Sequence, residues 1–83
     1  MPECTFGKLR AILTGLGFEM REAAGAFVFA HKEASARIVT EAFEDEQIVD
    51  PATLMVVRRN LDERGILPRA RFEEMLQERS LAG

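Results

Sequence analysis

The sequence lacks the features that mark several classes of protein. It holds a single cysteine, Cys4, so no internal disulfide can form, and we expect a cytoplasmic protein. No apolar run approaches the ~18 residues that a membrane span requires, and the N-terminus lacks the basic-then-apolar pattern of a signal peptide. The chain also contains no phosphate-binding glycine loop, no paired cysteines and no nucleophile motif. We therefore expect no membrane contact and no cofactor.

A strong charge of one sign is also absent. The 83 residues include 11 basic and 14 acidic side chains, which gives a net charge of −3. A simple nucleic-acid-binding protein is usually basic, so this balance disfavours RNA as a partner. Hydrophobic residues make up 47% of the chain, which is an ordinary share for a folded protein. The length predicts a single domain over residues 1–83.

The chain does have a hydrophobic period that changes from helical to alternating and back. Leu9, Ile12 and Leu13 follow a helical spacing, and Thr5 can cap that helix. Asp50-Pro51 is a second helix start, with an acidic cap followed by proline in the first turn. The patterns predict helices over 5–15, 51–64 and 68–80, and strands over 18–23, 26–31 and 36–40.

This order predicts an α+β fold, α-β-β-β-α with an added C-terminal helix. Short hairpins should make the three strands an antiparallel sheet, and the helices should cover one face of it. The middle strand places Phe27, Phe29 and His31 on one face. The two phenylalanines are either part of the core or an exposed surface for a partner. The predicted core also contains Leu9, Ile12, Leu13, Leu54, Val57 and Leu61.

Between Glu41 and Asp50 the chain carries several acids and no strong periodicity. We expect a solvated loop there, with Phe43 or Ile48 anchoring it to the core. The spacing of its carboxylates does not resemble a calcium loop, so no metal site is predicted.

Short motifs along the chain suggest a family. They are Lys8 and Leu13 in the first helix, Gly17-Phe18, Gly25 eight residues after Gly17, Thr53-Leu54 and Gly65-Ile66. This pattern resembles the HicA-like (YcfA-like) family of small mRNA interferases, over roughly residues 7–66. The resemblance implies a fold like that of double-stranded-RNA-binding domains. It also implies a toxin that is neutralised by a HicB-type antitoxin.

The chain departs from the family at the position that carries the chemistry. Where the family has Gly-Ser-His, this sequence reads Gly25-Ala26-Phe27. Phenylalanine can neither accept nor donate a proton, so the catalytic histidine implied by the resemblance is missing. The acidic segment after the third strand should in addition repel phosphate.

Two sets of residues remain as candidates for a site. His31 is a possible displaced catalytic base, or else a histidine that caps a turn at the end of its strand. Arg58, Arg59 and Arg64 form either a phosphate-binding patch or an ion-paired helix surface, since acids are interleaved with them.

These observations favour a non-catalytic HicA-like domain that acts by binding an antitoxin-like protein, a second copy of itself or structured RNA. One alternative is an active ribonuclease that uses His31. Another is a structural or interaction module with no connection to toxins.

Overall fold

The described part of the chain folds into three helices and one sheet, which form two layers. A computed structural model gives the fold, and it describes residues 3–77. The helices are α1 (Phe6–Gly15), α2 (Pro51–Glu63) and α3 (Arg69–Gln77), and the strands are β1 (Glu19–Ala23), β2 (Ala26–His31) and β3 (Ala36–Glu41). The α+β class and the order α-β-β-β-α-α are those predicted from the sequence.

Both predicted helix caps are present. The Thr5 side chain accepts a hydrogen bond from the Lys8 backbone N–H at 3.3 Å, which satisfies one of the free donors of the first turn of α1. Asp50 accepts from the Thr53 backbone N–H at 3.2 Å, and Pro51 follows at the start of α2.

The sheet is an antiparallel meander in the order β1-β2-β3. Ala24 and Gly25 connect the first two strands, with φ of 51° and 79°. Two positive φ values in a two-residue connection define the tight turn whose twist matches that of the paired strands. The outer strands β1 and β3 are both edges of this sheet.

The two faces of the sheet differ in what covers them. On one face Met20, Phe29 and Ile38 lie side by side under the helices, and Phe29 and Ile38 are buried. On the other face Arg21 and Val39 flank the central strand and are exposed. All helices therefore cover the same face, as predicted.

The core combines all three helices with the covered face of the sheet. Leu9, Ile12 and Leu13 of α1 are buried, and so are Leu54, Val57 and Leu61 of α2, as the helical spacing predicted. From α3, Phe72 and Leu76 complete the core.

Residues 42–49 form the predicted loop. Of the two expected anchors, Phe43 is buried whereas Ile48 is 48% exposed. Ile48 instead forms an isolated antiparallel bridge with Thr5, and the Val49 N–H donates to the Cys4 carbonyl oxygen at 2.8 Å. Val49 is a second buried anchor that the sequence pattern did not reveal.

The third helix begins one residue after Pro68. Its predicted range of 68–80 agrees with α3 as far as Gln77, and residues 78–80 lie outside the described part of the chain. Lys8 of α1 donates from Nζ to the Leu76 carbonyl oxygen, which ties the last turn of α3 to the first helix.

Candidate interaction surface

His31 lies at the end of β2, with both ring nitrogens in hydrogen bonds. Nδ1 accepts from the Ala34 backbone N–H at 3.2 Å. The proton therefore belongs on Nε2, which donates to the Leu16 carbonyl oxygen at 3.0 Å. The ring thus caps the turn between β2 and β3 and holds it against the end of α1.

His31 lines a shallow pocket of about 340 Å³, and its ring is also packed against two neighbours. The ring of Phe18 stands edge-on to the imidazole, with centroids 5.1 Å apart. A Cβ atom at Gly17, where φ is +102°, would approach Nε2 to 3.1 Å. A catalytic role for His31 would require the ring to release one of its two hydrogen bonds before it accepted a proton.

Phe27 and Phe29 belong to the core. Phe29 has no exposed surface, and Phe27 is half-buried. The ring of Phe6 in α1 stacks on Phe27 at a centroid distance of 5.2 Å and lies 6.1 Å from Phe29. Both phenylalanines therefore pack under α1.

The three candidate arginines lie in and just after the second half of α2. Arg58 forms an ion pair with Glu73 of α3 at 2.6 Å, and only 16% of its side chain is exposed. Arg59 is exposed on another side of the helix, and Arg64 follows the last turn as its C-cap. Arg58 thus connects α2 to α3.

Cys4 is not placed as a nucleophile. The residue is buried, and this burial raises the pKa of its thiol, which keeps the unreactive protonated form at neutral pH. Its thiol group donates to the Thr5 carbonyl oxygen at 3.3 Å.

The acidic loop contains contacts that fix the loop itself. Asp45 pairs with Arg10 of α1 at 2.8 Å, and the Glu44 N–H donates to the Gln47 side chain at 3.2 Å. Within residues 3–77 no three histidine, cysteine or carboxylate side chains lie close enough together to hold a metal ion.

The uncovered face of the sheet carries a shallow concavity of about 330 Å³. Ala30 and Val28 line it together with the charged side chains of Glu19, Arg21, Lys32 and Arg37. It has no aromatic side chain on which a nucleic-acid base could stack. Three of its four charged side chains are cations, so the lining of this concavity carries a net positive charge.

The outer side of β3 is unpaired. In an antiparallel edge strand, alternate N–H and C=O groups point away from the sheet and remain available to another strand. Among residues 3–77, β3 pairs only with β2, and no backbone hydrogen bond joins it to a loop or a helix. Val39, in the middle of this edge, is 59% exposed.

Beside this edge α2 presents a second apolar stripe. Ala52, Met55 and Val56 recur at helical spacing on the side of the helix away from Leu54 and Leu61. Met55 is 50% exposed and Val56 is 53% exposed. The spacing of these residues is visible in the sequence, but the sequence analysis identified only the buried stripe of this helix.

The strand edge and the exposed stripe border one groove. Its volume is about 180 Å³, and it lies between β3 and the first turns of α2. Its lining residues are Ile38, Val39, Thr40, Ala52, Thr53, Val56 and Val57. An open edge next to exposed valines is the arrangement that admits an added strand and gives it apolar contacts. We refer to Val39, Ala52 and Val56, with the outer side of β3, as the edge surface.

Comparisons with family models, with curated proteins and with solved structures find no match to this chain. Among the described residues, the helices are too short and too polar to traverse a bilayer.

Proposed function

We propose that this protein is a non-catalytic binding domain, related to HicA-like toxins, which acts by docking another protein on the edge surface. The observation that carries this proposal is the exposure of Val39 and Val56 beside an unpaired strand. A strand added at β3 would satisfy the free backbone groups of the edge and remove both valines from water.

The contacts of Phe27 and His31 support the proposal that the domain is non-catalytic. Phe27, at the position where the resemblance calls for histidine, is stacked on Phe6. His31 has both ring nitrogens engaged in hydrogen bonds to the backbone. Neither residue is free to move a proton, which ribonuclease chemistry would require.

Protein is favoured over RNA as the partner because of the distribution of charge and apolar surface. Arg58 is committed to Glu73. The exposed large hydrophobic side chains include Val39 and Val56, both on the edge surface. Apolar side chains next to free backbone groups suit a strand of protein.

Site-specific photo-crosslinking in cells tests this function. A photoreactive phenylalanine derivative is placed at position 39 or at position 56, and as a control at position 22, which is exposed on the opposite edge strand β1. We expect protein adducts from positions 39 and 56 and none from position 22. Adducts to RNA alone, or equal labelling from all three positions, would contradict the proposal.

A further inference from the structure

The solvent-facing side of β3 has a self-complementary charge pattern. Arg37, Val39 and Glu41 alternate with the buried residues Ala36, Ile38 and Thr40. A cation and an anion thus stand two residues before and two residues after an exposed valine. An antiparallel copy of the same strand, centred on Val39, would place opposite charges directly across from each other.

We propose that the partner on the edge surface is a second copy of this chain, bound through antiparallel β3–β3 pairing about a two-fold axis at Val39. This inference rests on the proposed function, because it names the occupant of the same surface. The two three-stranded sheets join into one continuous sheet. An interface of this symmetry uses the same patch on both copies, so each contact occurs twice.

The register follows from the requirement that exposed residues face exposed residues. Side chains alternate with a period of two, so a shift by one residue would oppose exposed and buried positions. A shift by two residues places either Arg37 or Glu41 opposite Val39 of the other copy, and the attraction between the arginine and the glutamate is lost. With Val39 on the axis, Arg37 of each copy lies across from Glu41 of the other, and the two valines meet.

The helix α2 adds apolar contact to the same interface. Ala52 and Val56 line the groove beside β3, so a strand paired with that edge lies against them. The two-fold axis places the α2 stripes of both copies on the same side of the joined sheet. Their mutual burial removes from water the side chains that each separate copy leaves exposed.

The other edge of the sheet does not offer the same features. In β1 the residues Glu19, Arg21 and Glu22 are exposed, and no large exposed hydrophobic side chain lies on this strand. Charged side chains on an edge strand oppose non-specific pairing. The edge of β3 therefore favours pairing with another strand, whereas the edge of β1 opposes it. A matched substitution on β1 can serve as an internal control.

A charge-swap series on the purified full-length protein tests the pairing by sedimentation velocity across the micromolar concentration range. Arg37→Glu places two glutamates opposite each other twice in the dimer, and Glu41→Arg does the same with two arginines. We expect each variant to weaken association by about tenfold or more, which corresponds to about 1.4 kcal/mol. Arg21→Glu changes the net charge equally but lies on β1, so it should leave association unchanged.

Restoration of the pairing is the decisive part of this series. The double variant Arg37→Glu/Glu41→Arg recreates both opposite-charge pairs and should recover the association of the unmodified chain. An equimolar mixture of the two single variants should form a heterodimer, because one copy then presents two anions and the other two cations. A general effect of charge on folding or solubility would not be reversed in either experiment.

Cysteine substitutions report the register directly. Residues opposite each other in an antiparallel pair have Cα atoms about 4.5–5.5 Å apart, within the reach of a disulfide. Val39→Cys should therefore cross-link two copies under mild oxidation. Arg37→Cys should not, because position 37 of one copy lies ~13 Å along the strand from position 37 of the other. Cys4 is buried and stays reduced in both variants.

The outcomes separate this inference from the proposed function. A monomer at every concentration, with photo-adducts from position 39 to a different protein, would overturn the self-pairing and leave the binding function intact. A dimer that responds to Arg21→Glu, or that is not rescued by the double variant, would also overturn the β3 pairing. The absence of any protein adduct at position 39 or 56, together with a monomer, would remove both proposals.

Discussion

Phe27 stacks on Phe6, with ring centroids 5.2 Å apart and ring planes 23° from parallel. The contact joins the first helix to the central strand at the position where HicA-like proteins are expected to have a histidine. Phe43 also stacks on Phe6, with ring centroids 5.6 Å apart. Phe27 is thus part of an aromatic cluster around Phe6. Phe27 is therefore a packing residue between α1 and β2.

Replacement of Phe27 by histidine should destabilise the protein without creating ribonuclease activity. The substitution removes the stacking contact, worth ~0.5–1.5 kcal/mol beyond burial, and places a polar ring in a partly buried site. Urea denaturation should show a loss of about 1–3 kcal/mol in the free energy of unfolding. Phe27→Leu, which keeps an apolar side chain, should cost less. A stable Phe27→His variant that cleaves mRNA would reverse our view of this position.

His31→Ala should lower stability and leave RNA untouched. The variant loses both hydrogen bonds of the imidazole and leaves the partly buried Leu16 carbonyl and Ala34 N–H without their partner, at a cost of about 1–3 kcal/mol. Lys32→Ala, at the exposed neighbouring position, is the control for stability. Incubation with mRNA should show no cleavage by the unmodified protein. If the unmodified protein degrades mRNA and His31→Ala abolishes the degradation, His31 is a catalytic residue.

Leu61→Ala should be among the more damaging changes in α2. Leu61 has no exposed surface, and truncation of a fully buried leucine costs about 2–5 kcal/mol because it leaves a cavity. Met55→Ala in the same helix removes an exposed side chain and should change the free energy of unfolding by less than about 0.5 kcal/mol. Both values come from denaturant melts at low protein concentration, where association does not contribute. A cost below ~1 kcal/mol for Leu61→Ala would place this side chain outside the core.

The ion pair of Arg58 and Glu73 should couple α2 to α3. A double-mutant cycle with Arg58→Ala and Glu73→Ala should give an interaction free energy of about 0.5–1.5 kcal/mol, since the pair is only partly shielded from solvent. Arg59→Ala, without this partner, should show no coupling to Glu73. RNA binding that falls with Arg58→Ala while stability stays constant would instead favour the phosphate-binding role.

The stabilisation of α2 by its N-cap should depend on pH in the acid range. Hydrogen bonds from the Thr53 side chain and backbone lower the pKa of the Asp50 carboxyl. A lowered folded-state pKa gives a contribution that is complete above the unfolded pKa of ~3.9 and is lost as the pH falls through the folded value. The advantage of the unmodified protein over Asp50→Asn should therefore be constant at neutral pH and shrink on acidification. Thr53→Val should move this loss to higher pH, and an advantage that persists in acid would contradict the assignment.

Local features of the sequence determined the elements of this fold. Hydrophobic period, the Thr5 and Asp50 caps and the Ala24-Gly25 turn act over a few residues, and each was readable without knowledge of the rest of the chain. These features were sufficient for the order of helices and strands, for the antiparallel sheet and for the buried stripe that contains Leu61.

The tertiary structure decided which surfaces meet and which remain open. His31 finds its two partners 15 residues before it and 3 residues after it, and only the folded chain brings both to one ring. The helix α2 has two apolar stripes, and it is the position of β3 beside it that leaves Val56 in water while Leu61 is buried. Burial depends on contacts between distant segments, whereas period and capping do not. The free edge of β3 arises in the same way, because a strand becomes an edge only when the sheet ends there.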